Sequence, residues 1–180
     1  AVSRMSSQLG VSNELVAEIA SEIAIQSLLI GLVAALFVGL IFGFINGICV
    51  SKFGMTPFIV TLSTQLIAGG IALVFSNKGR SIGNLPRILT RLSTSEGISL
   101  TSSITIPWVV IISLLLLLFW GILLSQTNWG RHVVLIGSNS KSARFAGLPV
   151  IRTLLSVYLF AGLLAGLGGF VSLMVLGAGD

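Results

Sequence analysis

Residues 25–50 read IQSLLIGLVAALFVGLIFGFINGICV, and they lie within 29 consecutive residues that contain no Asp, Glu, Lys or Arg. Three further charge-free runs follow, of 25 residues after Lys52, 34 after Glu96 and 27 after Arg152. About 20 apolar residues in a helix are enough to cross the hydrocarbon core of a bilayer. The sequence therefore predicts four membrane-spanning helices, near residues 25–50, 57–75, 107–124 and 153–176.

The composition of the whole chain excludes a water-soluble domain. The 180 residues are 54% hydrophobic and 8% charged, whereas a soluble domain is typically about 25% charged. Only helices and closed barrels satisfy their backbone hydrogen bonds in lipid, and the apolar runs lack the alternation of strands. We therefore predict the all-α class, as a polytopic transmembrane helix bundle. The ten Lys and Arg residues are scattered, so nucleic-acid binding is not expected despite the net charge of +5.

The charge distribution does not decide the orientation of these spans. Four spans place the N-terminal segment, residues 76–105 and the C-terminus on one side, and residues 51–56 and 125–152 on the other. Each side carries five Lys or Arg residues, so the positive-inside rule gives a tie. The chain begins at Ala1 and ends at Asp180 after Gly-Ala-Gly, from which we expect a partial chain.

Small residues recur every four positions in the first and last predicted spans. At this spacing they allow two helix backbones to approach closely in lipid, where packing rather than hydrophobicity drives association. We interpret them as packing positions inside one bundle rather than as a subunit interface. The rows are Gly39, Gly43 and Gly47 in the first span, and Ala161, Ala165 and Gly169 in the last, with Gly162 and Gly166 on an adjacent row.

Uncharged polar residues inside the first two spans are the candidates for a solute path. No ionisable side chain accompanies them, so a proton relay or a charge-coupled pathway has no visible carrier. Amide and hydroxyl groups suit a neutral, hydroxyl-rich solute, although hydrogen bonding between helices is the alternative role. Thr61 shares a helix face with Thr64 or with Gln65. The candidate residues are Asn46, Thr61, Thr64 and Gln65, with Ser63 beside them.

Two segments between the spans carry helix signals of their own. In residues 84–92, Asn84 can cap a short amphipathic helix that opens near Pro86 and lies on the membrane surface. In residues 137–149, Asn139 or Ser140 can cap about two helical turns that Gly147 ends. A capped polar helix between two spans is longer than a simple connection requires. We therefore expect this second segment to contact a partner.

Catalytic chemistry has no visible basis in the chain. His132 is the only histidine, and no Ser-His-Asp or Cys-His constellation can be assembled. The acidic residues Glu14, Glu18 and Glu22 share a helix face but spread over about 12 Å, which does not favour a metal site. No P-loop motif is present, so the chain is not expected to bind ATP itself. We expect neither an enzyme nor a resident cofactor or metal.

Two groups of residues resemble the permease subunits of ribose-type sugar ABC importers. The resemblance runs from about Leu28 to Asp180, whereas residues 1–22 match weakly. Departures occur at Val134, Leu135, Ser138 and Lys141, where the family usually has other residues. The first group is Asn46-Gly47, PFIVTL at 57–62 and GGIA at 69–72, and the second is Gly130-Arg131, IGSN at 136–139, Arg144, Gly147-Leu148 and the Gly-rich last span.

The resemblance implies a function and a set of partners. Such permeases pair as dimers in the bacterial plasma (inner) membrane, and they bind an ABC ATPase subunit and an external sugar-binding protein. The chain would then be part of a permease domain that moves a small neutral sugar, with ATP used by the partner. Residues 76–105 would form an external loop, and residues 125–152 a cytoplasmic coupling loop, which breaks the topological tie.

Within the coupling loop, the resemblance assigns the contact with the ATPase to the capped helix. Ala143 and Ala146 are small enough to enter a groove of the partner, and Arg144 can pair with an acidic rim. Asn139 and Gly147 would fix the ends of the helix. The coupling residues are thus Asn139, Ala143, Arg144, Ala146 and Gly147.

Two other functions remain open from the sequence. A related ABC permease could carry branched-chain amino acids or nucleosides through a similar scaffold. Alternatively, the chain could be a membrane assembly subunit that transports nothing. Ionisable residues in the spans would favour a charged solute, and none is seen there.

Overall fold

The structure is a computed structural model that describes residues 13–75, 97–101 and 104–176, with side chains described at 22–23, 25–75 and 110–173. The all-α prediction is confirmed, with one small β-hairpin added. The predicted surface helix at 84–92 lies outside the described residues. In chain order the elements are α1 (Asn13–Ser51), α2 (Pro57–Phe75), β1 (Gly97–Thr101), β2 (Ile104–Pro107), α3 (Trp108–Gln126), α4 (Asn128–Ser138), α5 (Ser140–Phe145) and α6 (Val150–Leu176).

Helix α1 extends well beyond the first predicted span. It has 39 residues and begins at Asn13, so the acidic residues before Ile25 continue the same helix. This segment contains no proline, so every residue in it keeps the backbone N–H group that an α-helix needs. The part that is long and apolar enough to cross a membrane is Ile25–Ser51, as predicted.

The hairpin β1–β2 was not predicted. Its strands pair antiparallel, with Ile98 opposite Ile106 and Ser99 opposite Thr105. Isoleucine and threonine are β-branched and favour extended backbone, which explains the local preference. The hairpin ends at Pro107, and α3 begins at the next residue, within one position of the predicted start of the third span.

Three helices in the described part of the chain are long and apolar enough to cross a membrane: Ile25–Ser51, Pro57–Phe75 and Val150–Leu173. These confirm the first, second and last predicted spans. Val110–Gln126 and Asn128–Ser138 together give a fourth candidate crossing, which is broken because the two helices meet at 80°. Helix α3 matches the third predicted span, near residues 107–124, and the bend that follows it was not predicted.

The bend between α3 and α4 is held by one hydroxyl and one glycine. The Thr127 side chain donates a hydrogen bond to the Leu123 carbonyl and accepts one from the Gly130 backbone N–H at 3.0 Å. A Cβ atom at Gly130 would lie 2.6 Å from the Leu124 Cα atom, so any larger residue would collide with the last turn of α3. Thr127 therefore caps α4, and Gly130 lets the first turn of α4 lie against the last turn of α3.

Aromatic side chains join the bent pair to α6. The Trp129 indole N–H donates a hydrogen bond to the Ser156 hydroxyl at 2.8 Å. The Phe160 ring lies 5.1 Å from the Trp120 ring and 5.4 Å from the Trp129 ring, with interplanar angles of 71° and 80°. Edge-to-face aromatic pairs are favoured by the ring quadrupoles. These contacts fix α4 against the first half of α6.

The closest helix contact joins α1 and α6, which run antiparallel. A Cβ atom at Gly43 would lie 2.5 Å from the Tyr158 carbonyl oxygen, and one at Gly166 would lie 2.5 Å from the Ala35 carbonyl oxygen. Gly39 and Gly162 face each other in the same way. Packing inside one chain, as predicted, is therefore the role of these glycines. The row of α6 that enters the contact contains Gly162 and Gly166. The predicted row at Ala161, Ala165 and Gly169 lies beside the contact rather than in it.

Gly162→Ala tests this contact. A Cβ atom at position 162 would lie 2.9 Å from the Gly43 Cα atom, so the two helices must separate. We expect a loss of about 1–3 kcal/mol in the free energy of unfolding, measured in mixed micelles. The matched control is Gly168→Ala, on the same helix, where an added Cβ atom meets nothing within 4 Å. Equal stability of the two variants would contradict the role given to Gly162.

Candidate functional site

An open cleft lies beside the α1–α6 contact. Helices α1 and α6 form two of its sides, and α2 forms the third. Its volume is about 670 Å³, within the range of about 300–1,000 Å³ that small-molecule pockets occupy. All four solute-path residues predicted from the sequence line this one cleft: Asn46, Thr61, Thr64 and Gln65. The structure therefore brings the predicted set together.

The two threonine hydroxyls already use their protons within α2. Thr61 Oγ1 donates to the Pro57 carbonyl at 2.9 Å, and Thr64 Oγ1 donates to the Val60 carbonyl at 3.1 Å. Neither hydroxyl makes a hydrogen bond to another helix in the described part of the chain. A hydroxyl has a single proton but two lone pairs. Thr61 and Thr64 therefore offer acceptor oxygens to a molecule in the cleft.

Asn46 and Gln65 differ in how they are placed. Asn46 Oδ1 is buried and has no hydrogen-bond partner among the described residues. A buried acceptor without a partner costs free energy, so the atom calls for an explanation, and a molecule bound in the cleft is one. The Gln65 side chain is exposed, and its amide makes no hydrogen bond within the described residues. Among the described residues, neither amide makes the interhelical hydrogen bond that the sequence left open as the alternative role.

Sequence reasoning missed Tyr158, the only tyrosine of the chain, which also lines the cleft. Its backbone packs on Gly43, and its Cβ atom would lie 3.2 Å from a Cβ atom at Gly47. The signal was available, because a tyrosine inside an apolar span carries a polar group that needs a partner. The same face of α6 supplies small residues to this cleft: Ala161, Ala165 and Gly169.

The capped helix predicted at 139–147 is present as α5. Asn139 Oδ1 accepts hydrogen bonds from the backbone N–H groups of Lys141 and Ser142, at 3.1 and 3.0 Å. At the other end Gly147 has φ of +77°, the left-handed conformation that glycine adopts without steric cost. The Leu148 N–H bonds the Ala143 carbonyl, and the Gly147 N–H bonds the Arg144 carbonyl, both at 3.1 Å. Asn139 is thus the cap, and the end is a Schellman motif.

The side chains of α5 do not all face outward, which corrects one expectation. Ala143 is only 5% exposed and packs against Ile136 and Val150, so it faces its own chain and cannot enter a groove of a partner. Arg144 and Ala146 are exposed, as predicted. The most prominent side chain was missed: Phe145 is 93% exposed. Helical periodicity explains the difference, because the single face anchored by Ala143 turns Phe145 outward.

Comparison with known proteins identifies the family. The family described as "Branched-chain amino acid transport system / permease component" matches residues 2–180. The L-arabinose transport system permease protein of Escherichia coli (strain K12) is 30% identical over 127 residues, which are 71% of this chain and 37% of that protein. The D-allose transport system permease protein of the same organism is 35% identical over 136 residues, 76% of this chain and 40% of that protein.

A third relative has a different solute in its name. The autoinducer 2 import system permease protein of Yersinia pestis (strain Pestoides F) is 33% identical over 139 residues, 74% of this chain and 40% of that protein. The chain thus spans about two fifths of the length of these curated relatives. No solved structure matches it. Because the family match extends along residues 2–180, the chain belongs to this family of membrane permease components, and the resemblance to importer permeases inferred from its motifs is confirmed.

Proposed function

We propose that the chain forms part of the permease of an ABC importer that moves a small neutral sugar across the bacterial plasma membrane. A separate ATPase would supply the energy, an external binding protein would deliver the sugar, and a second permease subunit would complete the path. The observation that carries the proposal is the uncharged polar lining of the cleft between α1, α2 and α6. Relatives named for L-arabinose and D-allose support the same class of solute.

The charge of the cleft favours a sugar over an amino acid, although the family description names the latter. None of the described residues that line it is ionisable at neutral pH. An amino acid carries a carboxylate and an ammonium group, and burying either without a partner is costly. A sugar carries neither group. The lining therefore accepts a neutral solute at much lower cost.

The hydrogen-bonding character of the cleft points to the same solute. Thr61 and Thr64 offer acceptor oxygens because their protons are used within α2, and Asn46 Oδ1 is an acceptor with no partner. A site biased toward acceptors needs a solute rich in donors. Each sugar hydroxyl supplies one donor proton. A hydroxyl that bonds Asn46 Oδ1 would also relieve the cost of its burial.

Asn46→Leu and Gln65→Ala test the solute path. Each removes one hydrogen bond to the sugar, worth about 1 kcal/mol, so the apparent affinity for uptake should fall about fivefold. Asn46→Leu should not destabilise the empty protein, because Asn46 Oδ1 has no partner to lose among the described residues. Uptake of L-arabinose and D-allose is measured in proteoliposomes that contain the complete importer, with L-leucine as the charged comparison.

The matched control for this test is Ser63→Ala. Ser63 lies on α2 between Thr61 and Thr64 but does not line the cleft, so its removal should leave uptake unchanged. Wild-type uptake in both Asn46→Leu and Gln65→Ala would mean that these residues do not bind the solute and serve only in helix packing. Uptake of L-leucine but of neither sugar would overturn the proposed solute class.

The coupling role of α5 is proposed on its exposed face. We propose that Phe145 enters a groove of the ATPase, while the Asn139 cap and the Gly147 turn hold the short helix in shape. A six-residue helix does not persist alone in water, because nucleation is costly. Ala143 contributes from the inner side by packing on Ile136 and Val150. Movement of the ATPase would thereby reach α4 and α6 through a packed contact.

Phe145→Ala tests the docking. Burial of a phenylalanine side chain contributes about 1.5–3 kcal/mol, so the affinity for the ATPase should fall at least tenfold, with a matching loss of binding-protein-stimulated ATP hydrolysis. The control is Phe53→Ala, which removes another exposed phenylalanine (66%) from the turn after α1. Full stimulation of hydrolysis in Phe145→Ala, or equal losses in both variants, would contradict the assignment.

A further inference from the structure

A second groove, separate from the solute cleft, lies where α1 ends and α6 begins. Its volume is about 410 Å³. One edge is polar and is formed by Ser51 at the end of α1 and by Ser140, Lys141 and Arg144 of α5. The floor is apolar and includes Val50, Val150 and Leu154, and the exposed Phe145 also borders the groove. The groove thus places two cations and two hydroxyls beside a hydrocarbon surface.

No acidic side chain among those that the structure describes lies near this edge. The sequence contains no Asp or Glu from residue 23 to 95 or from residue 97 to 179. Among the described side chains Glu22 is the only acid, and it precedes Ser51 by 29 residues of α1, a helical distance of about 44 Å. Lys141 and Arg144 are both exposed. Neither cation has an acidic partner among the described side chains, so both can bind an anionic group of another molecule.

The position of the groove along the helices narrows the choice of that molecule. Ser51 is the last residue of the membrane-crossing segment Ile25–Ser51, and Val150 is the first residue of Val150–Leu173. The groove therefore lies at the boundary between hydrocarbon and water, where phospholipid phosphates are found. Leu154 lies about 6 Å further into its span. The first carbons of an acyl chain can reach this floor.

We propose that the groove binds the headgroup of an anionic phospholipid. Lys141 and Arg144 bind the phosphate, the hydroxyls of Ser51 and Ser140 donate hydrogen bonds to its oxygens, and the upper part of an acyl chain packs on Val50 and Leu154. Charge-assisted hydrogen bonds to phosphate oxygens are stronger than neutral ones. Basic pockets between transmembrane helices recognise lipid headgroups by this chemistry. For Arg144, the lipid replaces the acidic rim of a partner that the sequence suggested.

The test is a lipid titration of the intact purified permease followed by native mass spectrometry. Phosphatidylglycerol is titrated against phosphatidylcholine, and we expect retention of the anionic lipid only. The double variant Lys141→Gln/Arg144→Gln should bind phosphatidylglycerol about thirtyfold more weakly, at about fivefold for each basic side chain. The control Lys52→Gln/Arg131→Gln removes two cations from the same side of the membrane. Neither of them lines the groove. It should retain wild-type affinity.

A second variant tests lipid binding independently of how well the double variant folds. Ser140→Asp adds a carboxylate at the first residue of α5, where an acid favours the helix dipole. It should displace the lipid without loss of helix. Equal lipid affinity in wild type and both groove variants would overturn the proposal, as would displacement by millimolar inorganic phosphate alone. Unchanged lipid binding with weaker ATPase association would assign the groove to the protein partner instead.

Discussion

The close approach of α1 and α6 is the constraint on which the rest of the molecule depends. Gly39 and Gly43 face Gly162 and Gly166 with no room for a Cβ atom on either side. In lipid the apolar side chains gain little by leaving one helix surface for another, so close backbone contact has to supply the association. The antiparallel pair is therefore the fixed frame, and α2, the bent pair α3–α4 and α5 take their positions relative to it.

The same contact shapes the cleft proposed for the solute. Because glycine occupies the line of contact, no side chain fills the space beside it, and the neighbouring row of α6 opens toward α2. Asn46 stands at the edge of this space, where its buried Oδ1 has no partner among the described residues. Tyr158 is held there by its own backbone contact with Gly43. The tight contact between α1 and α6 thus leaves open the space that the uncharged polar residues of α2 line.

The other end of the pair brings together segments that are distant in sequence. The turn after Ser51 and the helix α5 line one groove although about 90 residues separate them. Thr127 and Gly130 turn the chain by 80°, Trp129 joins the bent pair to α6, and Asn139 caps α5. Each of these local contacts is modest. Together they present Phe145 outward, next to cations for which the described residues supply no counter-ion.

The sequence by itself determined the helices that cross, the capped helix and the candidate solute residues, because these follow from charge-free length, from Asn139 and Gly147, and from polar groups inside apolar runs. It did not determine the 80° bend, because Gly130 has meaning only against the last turn of α3. Nor could it choose which small row of α6 packs, since both rows satisfy the same spacing. The burial of Ala143 and the gathering of Asn46 with Gln65 in one cleft were likewise decided by tertiary structure, because each depends on residues from another helix.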